Sequence, residues 1–378
     1  MCYCKWYIYC SDIIDTPVYL GSLNTLQFSM LHTWNGAFTT NVWIETAAGA
    51  QIRIVIPATK PSGRFQIYNI TRASMTGYGG GATSTTLDTD LITKIKIVVL
   101  TGSATATDYP FWVGPVKQDT RGEKAKICLC FDKVSSNQYT YLRPLLESYG
   151  FKASLAVITQ PNDANAMTIA QKDKMYSLGH EIIHHTGNDI AVPGAGWDNT
   201  TKYPTGGTAA SLIAEDIKIT QDDLIAHGWT RGLGHCVMGF SSSFSSSVPM
   251  IRQQEIITAL KANNMLSVRS TIDAVALARP LNLGIFDGYG MGGGLFVTSA
   301  VSGATVNAAI DEIIAENGYG FISGHDFAIS GGTGNTQNIA DVETWMAYLK
   351  TKVDAGLVDV VTQSELYDEL SSYNQLAI

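Results

Sequence analysis

The feature that most constrains this chain is a change of periodicity near residue 120. Upstream, runs such as Val42-Trp43-Ile44-Glu45-Thr46, Gln51-Ile52-Arg53-Ile54-Val55-Ile56 and Lys94-Ile95-Lys96-Ile97-Val98-Val99-Leu100 alternate apolar with polar residues, or run apolar, between Gly, Asn, Ser and Thr turns. No helical period interrupts them, so residues 1–118 are expected to form a jelly-roll-like β-sandwich. From about residue 124 onward, apolar runs of strand length alternate with segments of helical spacing. Such alternation predicts βα units on a parallel sheet. Seven or eight units exceed what an open sheet usually needs, so a closed or nearly closed (β/α) barrel is expected over residues 124–378. The polar stretch Lys117 to Lys124 reads as the connector. The fold class is therefore multidomain, β followed by α/β.

A chain of 378 residues that is 45% hydrophobic can bury two ordinary cores. Its formal net charge of -8 comes from 25 basic and 33 acidic residues without a basic cluster, which argues against nucleic acid as a partner. Charged residues are only 15% of the chain, against about 25% usually, so the surface makes hydrogen bonds more than ion pairs. No run of 18 apolar residues predicts a membrane span. The opening Met1-Cys2-Tyr3-Cys4-Lys5-Trp6-Tyr7 does not read as a secretion signal. Cys2, Cys4, Cys10, Cys128, Cys130 and Cys236 form neither a disulfide framework nor paired zinc units, and they read as mostly buried thiols.

The strand Lys126-Ile127-Cys128-Leu129-Cys130-Phe131 ends in Asp132-Lys133. Chemistry in parallel sheets sits at strand C-terminal ends. Asp132 therefore reads as an active-site carboxylate or, with Lys133, as an ion pair closing a βα loop. Gly179-His180-Glu181-Ile182-Ile183-His184-His185-Thr186-Gly187-Asn188-Asp189 gathers three of the seven histidines and two carboxylates around one strand. It is a metal-site candidate, since imidazole and carboxylate are zinc ligands; the alternative is imidazoles hydrogen-bonded in loops. Strand alternation sends His184 and His185 to opposite faces, so one of them points inward. Gly320-Phe321-Ile322-Ser323-Gly324-His325-Asp326 repeats the theme, with His325 as a general acid whose tautomer a carboxylate holds, or as a loop cap. In the upstream third, Gly77-Tyr78-Gly79-Gly80-Gly81 lacks the residues of a phosphate cradle. Trp34, Trp43 and Tyr78 read either as platforms for sugar rings or as packing.

The order Phe131-Asp132, Gly179-His180-Glu181-Ile182 with His185-Thr186, Gly324-His325-Asp326 and Val360-Val361-Thr362-Gln363-Ser364-Glu365 resembles the polysaccharide deacetylases of the NodB homology type, over roughly residues 124–370. In that family a T-F-D-D motif supplies a base and then a metal ligand, H-[ST]-x-x-H supplies two further ligands, and a late histidine is the general acid. The resemblance implies a deformed (β/α) barrel that removes acetyl groups from sugars by metal-activated water. It makes Asp132 the base, His185 and Asp189 the metal ligands, His325 the acid, and Zn or another divalent metal the cofactor. Three departures stand beside it. The family's second Asp is Lys133 here and its second His is Asp189, and the segment expected to carry R-x-P-Y is Gly239-Phe240-Ser241-Ser242-Ser243. An ammonium in a ligand position repels a dication.

Three functions follow as expectations. The first is a divergent deacetylase acting on an acetylated surface polysaccharide. The second is a catalytically inactive, metal-free structural or glycan-binding protein, such as a phage virion component, assembled into a virion or a homo-oligomer. The third is a lectin-like module working through the sandwich. All three place the protein outside the cell or on a virion, with polysaccharide as partner.

Overall fold

The computed structural model describes residues 7–19, 25–32, 38–47, 49, 51–56, 66–71, 76–77, 91–101, 111–113, 117–119, 124–160, 164–188, 209–237, 250–269, 291, 294–315 and 317–375. The chain divides into two compact units, Met1–Gly122 with Ala278–Leu283, and Glu123–Leu277 with Gly284–Ile378.

The first unit contains strands β1 (Tyr7–Tyr19), β2 (Thr25–His32), β3 (Phe38–Thr46), β4 (Gln51–Ile56), β5 (Gln66–Thr71), β6 (Thr76–Gly77), β7 (Leu91–Thr101), β8 (Phe111–Val113) and β9 (Lys117–Asp119). They make two antiparallel sheets. One runs β1-β7-β3-β4-β6; the other centres on β2, with β5 on one edge and β9 then β8 along the other. The alternation read from the sequence is visible in β3 and β4, where Val42, Ile44, Ile52 and Ile54 are buried. A register shift opposite Glu45 and Thr46 brings Ile92 and Ile95, three residues apart, both to buried positions. On the more open face the Arg53 guanidinium lies 5.8 Å from the Trp43 ring centroid, and Lys96 pairs with Glu45 at 2.7 Å. Trp43 is thus engaged by its sheet neighbour, while Trp34 and Tyr78 lie outside the described residues. The expected connector needs correcting at its start, because Lys117–Asp119 pairs with Thr25–Gln27 as a strand.

The second unit begins with β10 (Ala125–Asp132), a π-helical turn (Gln138–Leu142) and α1 (Arg143–Tyr149). It continues through β11 (Ser154–Gln160), α2 (Ile169–Ser177), β12 (Glu181–Asn188), α3 (Ala209–Ala226), β13 (Gly232–Val237), α4 (Met250–Ala262) and β14 (Ser267–Arg269). After β15 (Leu295–Val297) come α5 (Gly303–Ala315), β16 (Tyr319–Gly324), β17 (Asp326–Ala328), β18 (Thr336–Asn338), α6 (Ile339–Asp354), β19 (Val358–Val361) and α7 (Gln363–Gln375). The main sheet is wholly parallel in the order β14-β13-β12-β11-β10-β16-β15, and β19 pairs with the first half of β10. This is the half-barrel of a deformed (β/α) barrel. A fully closed ring is not what the described residues form, since β14 and β15 each have a single partner among them.

The pleat of β10 explains the layering. Ile127, Leu129 and Phe131 pack outward in a core with Leu142, Leu146, Ile310, Trp345 and Met346 of the covering helices. Cys128 and Cys130 point the other way, into an inner cluster with Ala156, Ile183, Val237, Phe321 and, from α7, Leu366 and Leu370. The thiols of Cys128, Cys130 and Cys236 are buried and free, as expected of them. Cys2 and Cys4 lie outside the described residues, as does the Cys10 side chain.

Candidate functional site

The inward parity of β10 ends at Asp132, and neighbouring strands deliver three further polar side chains to the same end of the sheet. Arg269 closes β14, His185 comes from the second half of β12, and His325 follows β16. Asp132 is 5% exposed and Arg269 2%, so their charges must neutralise one another in a medium of low polarity. Arg269 Nη2 donates to Asp132 Oδ1, and His325 Nε2 lies 3.7 Å from Asp132 Oδ2. Burial alone would raise the Asp132 carboxyl, but the Arg269 charge, with His325 and His185, holds it well below the usual carboxylate range. Asp132 is therefore ionised. The neighbouring thiol of Cys130 is pushed up to about 12 by burial and stays protonated.

His185 is buried, and desolvation pushes its pKa down to about 3 despite the pull of Asp132, so the imidazole is neutral. Its Nδ1 has no hydrogen-bond partner among the described residues. His325 is held by two contacts: the Asn335 amide nitrogen lies 3.3 Å from its Nδ1, and the Phe296 ring meets it edge-on at 4.9 Å. An amide nitrogen only donates, so Nδ1 accepts and the ring proton sits on Nε2, facing Asp132. A carboxylate does face the ring, that of Asp132, while the adjacent Asp326 accepts from Ser135 and Asn137 at 2.7 and 3.1 Å.

The histidine cluster separates as alternation requires. His184 turns to the helix side, with Nε2 3.3 Å from the Asp216 carbonyl and 3.6 Å from its carboxylate. His180 accepts from the Ala153 N–H at 3.1 Å, and burial pushes it down to about 4. Both are structural imidazoles. Glu181 sits at the start of β12, level with Cys130 and one inward-facing layer below Asp132, and its carboxylate is taken up by Ser154, Ser364 and the Gln363 backbone N–H rather than by the Asp132 site. Of the ligands the resemblance implied, His185 reaches the site, and Asp189 lies outside the described residues.

Whether these residues suit a divalent metal can be judged from their chemistry. A neutral buried imidazole with an unengaged nitrogen fits. Lys133, where the resemblance needs a carboxylate, does not, and Asp132 already carries a guanidinium on one oxygen. No group of three His, Cys, Asp or Glu side chains able to hold a metal occurs among the described residues. The described set therefore does not fit the cofactor.

Arg269 was not singled out in the sequence. The segment after Met238 lacks R-x-P-Y and so left the base-orienting group unassigned; the next strand supplies an arginine on Asp132. Its signal was available: in Leu266-Ser267-Val268-Arg269 the arginine stands at a strand's C-terminal end, in phase with inward-facing Ser267.

Comparison with known proteins agrees with the resemblance. Residues 119–230 match the family model for polysaccharide deacetylase. No curated protein matches the chain. Among solved structures, a family 4 acetyl xylan esterase from Clostridium thermocellum in complex with cobalt is 15% identical, covering 64% of this chain and 90% of its own, with a TM-score of 0.37. The catalytic domain of a peptidoglycan N-acetylglucosamine deacetylase from Eubacterium rectale is 15% identical over 64% of this chain and 90% of its own, at 0.39. A mutant CE4-family pseudoenzyme with restored enzymatic activity is 13% identical over 66% and 70%, at 0.39.

Proposed function

We propose that this polysaccharide-deacetylase-type domain binds an acetylated surface glycan without hydrolysing it through a bound metal, and that it works extracellularly or on a virion beside an N-terminal β-sandwich. The observation that carries this reading is the pairing at Asp132. Its carboxylate is neutralised by a buried guanidinium from Arg269, and the next residue is an ammonium, Lys133, in place of a metal-binding carboxylate. Such a site keeps hydrogen-bonding groups at the end of the sheet while carrying its positive charge on the protein itself. The other reading, a working deacetylase, is favoured by one specific feature: Asp132, Arg269 and His325 still converge as a base, its anchor and an acid would.

The two readings part on one measurement. Partly N-acetylated chitosan oligomers and acetylated xylan are offered to the purified protein with and without zinc, and acetate release and equilibrium binding are followed together. Saturable binding with no zinc-dependent acetate release is expected, together with less than one equivalent of zinc retained after dialysis. Zinc-dependent release that is lost in His325→Gln would overturn the proposal in favour of the enzyme.

A further inference from the structure

Between Asp132 and the first helix the chain makes an awkward passage. Lys133 and Val134 both take left-handed backbone conformations, with φ of 66° and 47°, and Val134 is β-branched and fully buried. Such residues persist only where their surroundings over-determine them. Here the Val134 carbonyl accepts from Met167 N at 2.9 Å, and the first residue of the π-helical turn, Gln138, locks the passage from beneath. Gln138 is completely buried, and its Nε2 donates to two carbonyls, Asp132 O at 2.9 Å and His325 O at 2.6 Å. Those carbonyls belong to the two side chains that face each other across the site.

We infer that Gln138 is a positioning residue, a buried amide that ties the end of β10 to the end of β16 and so sets the separation of Asp132 and His325. The chemistry is specific to an amide nitrogen. Among uncharged side chains only an amide –NH₂ offers two donors to two carbonyls from one atom; an ammonium would bring a buried charge, a carboxylate would repel both, and an apolar side chain would leave both buried acceptors unpaired. The amide orientation follows from the same fact, because its oxygen could not face two carbonyl oxygens. Gln138 Oε1 has no partner among the described residues, so the side chain accepts a cost on one end to keep both bonds on the other. A second bridge spans the same gap: Ser135 and Asn137 donate to the two oxygens of Asp326, the residue after His325. π-Helical turns are concentrated at functional sites, where an added residue re-aims a side chain; this one aims Gln138.

The inference rests on the reading of Asp132 and His325 as facing groups of one glycan site, whether or not that site is hydrolytic, and the test separates the two. In the full-length protein with ¹⁵N-labelled histidine, the His325 ring nitrogens are assigned by loss of signal in His325→Gln and followed at one fixed pH. Asp132→Asn is expected to move the His325 Nε2 resonance in the otherwise unaltered chain. No movement there would sink the pair itself. In Gln138→Met the two ring resonances are expected to draw together, and the response to Asp132→Asn to be lost, while the His180 and His235 signals stay in place. A folded Gln138→Met protein whose His325 responds to Asp132→Asn as before would overturn the role of Gln138 and leave the pair standing. Gln138→Asn, one methylene shorter and able to reach at most one carbonyl, is expected to keep part of the response. If neither variant folds, Gln138 is a folding element and the positioning role is rejected.

Discussion

Arg269→Met is expected to cost about 3–5 kcal/mol of folding stability, because it removes one partner of a buried ion pair and leaves the other behind. Asp132 is nearly inaccessible, and the guanidinium that touches it is the largest of the influences that keep its carboxylate ionised. Without Arg269, burial is opposed by the two imidazoles alone and the pKa of the group rises, the reverse of its present shift. The stability profile with pH should therefore change sign. In the unaltered chain the Asp132 contribution is fully present above the unfolded value of about 3.9 and is lost as pH falls toward the depressed folded value. In Arg269→Met, acidification should instead restore stability by protonating the stranded carboxyl. Asp132→Asn added to Arg269→Met is expected to recover a large part of the loss, a non-additivity typical of residues in contact. Urea midpoints at pH 7 and pH 4.5 for the two single variants and the double variant decide the matter. Equal losses at both pH values, with no recovery in the double variant, would mean that Arg269 contributes packing rather than charge.

The same pair shows what sequence alone could and could not reach. Periodicity located nearly every strand and helix of the second unit, because a strand buried on both faces must be apolar and a covering helix must carry a stripe. β17 and β18 were not foreseen, since three-residue strands carry too little pattern to register. Asp132 and His325 were legible as polar residues closing apolar strands, and His185 as the inward member of an alternating pair. Arg269 and Gln138 were not. A buried arginine declares itself only when its partner is known, and that partner lies 137 residues away. Gln138 acts through two backbone carbonyls, which have no signature in a sequence at all. Glu181 misled for the opposite reason: it stands among three histidines in the chain, yet its register sets it one inward-facing layer below Asp132, where Ser154 and the start of α7 take up its carboxylate.

Glu181→Leu is therefore expected to act on folding and not on the Asp132 site. The carboxylate is 1% exposed and takes Ser154 Oγ at 2.6 Å, Gln363 N at 2.8 Å and Ser364 Oγ at 2.5 Å, with Ser364 N at 3.3 Å. Two of these donors are the first backbone N–H groups of α7, which an anion satisfies while meeting the positive end of the helix. A leucine leaves Ser364 N and the two serine hydroxyls without this acceptor, while Gln363 N keeps Ser154 Oγ at 2.8 Å, and each orphaned group costs about 1–3 kcal/mol. A total loss of about 3 kcal/mol or more is expected, while Glu181→Gln, which keeps one acceptor oxygen, should lose about half as much. The damage should be local first. α7 contributes Leu366 and Leu370 to the inner cluster, so its release uncovers one end of the half-barrel while β10 and β11 remain paired. Amide hydrogen exchange checks this directly. Protection in Gln363–Gln375 should fall in Glu181→Leu well below that of Ile127 to Phe131, and the His325 ring resonances should stay where they are. Uniform loss of protection across both segments would show that α7 and the sheet unfold as one unit, with Glu181 holding the whole domain rather than its last helix.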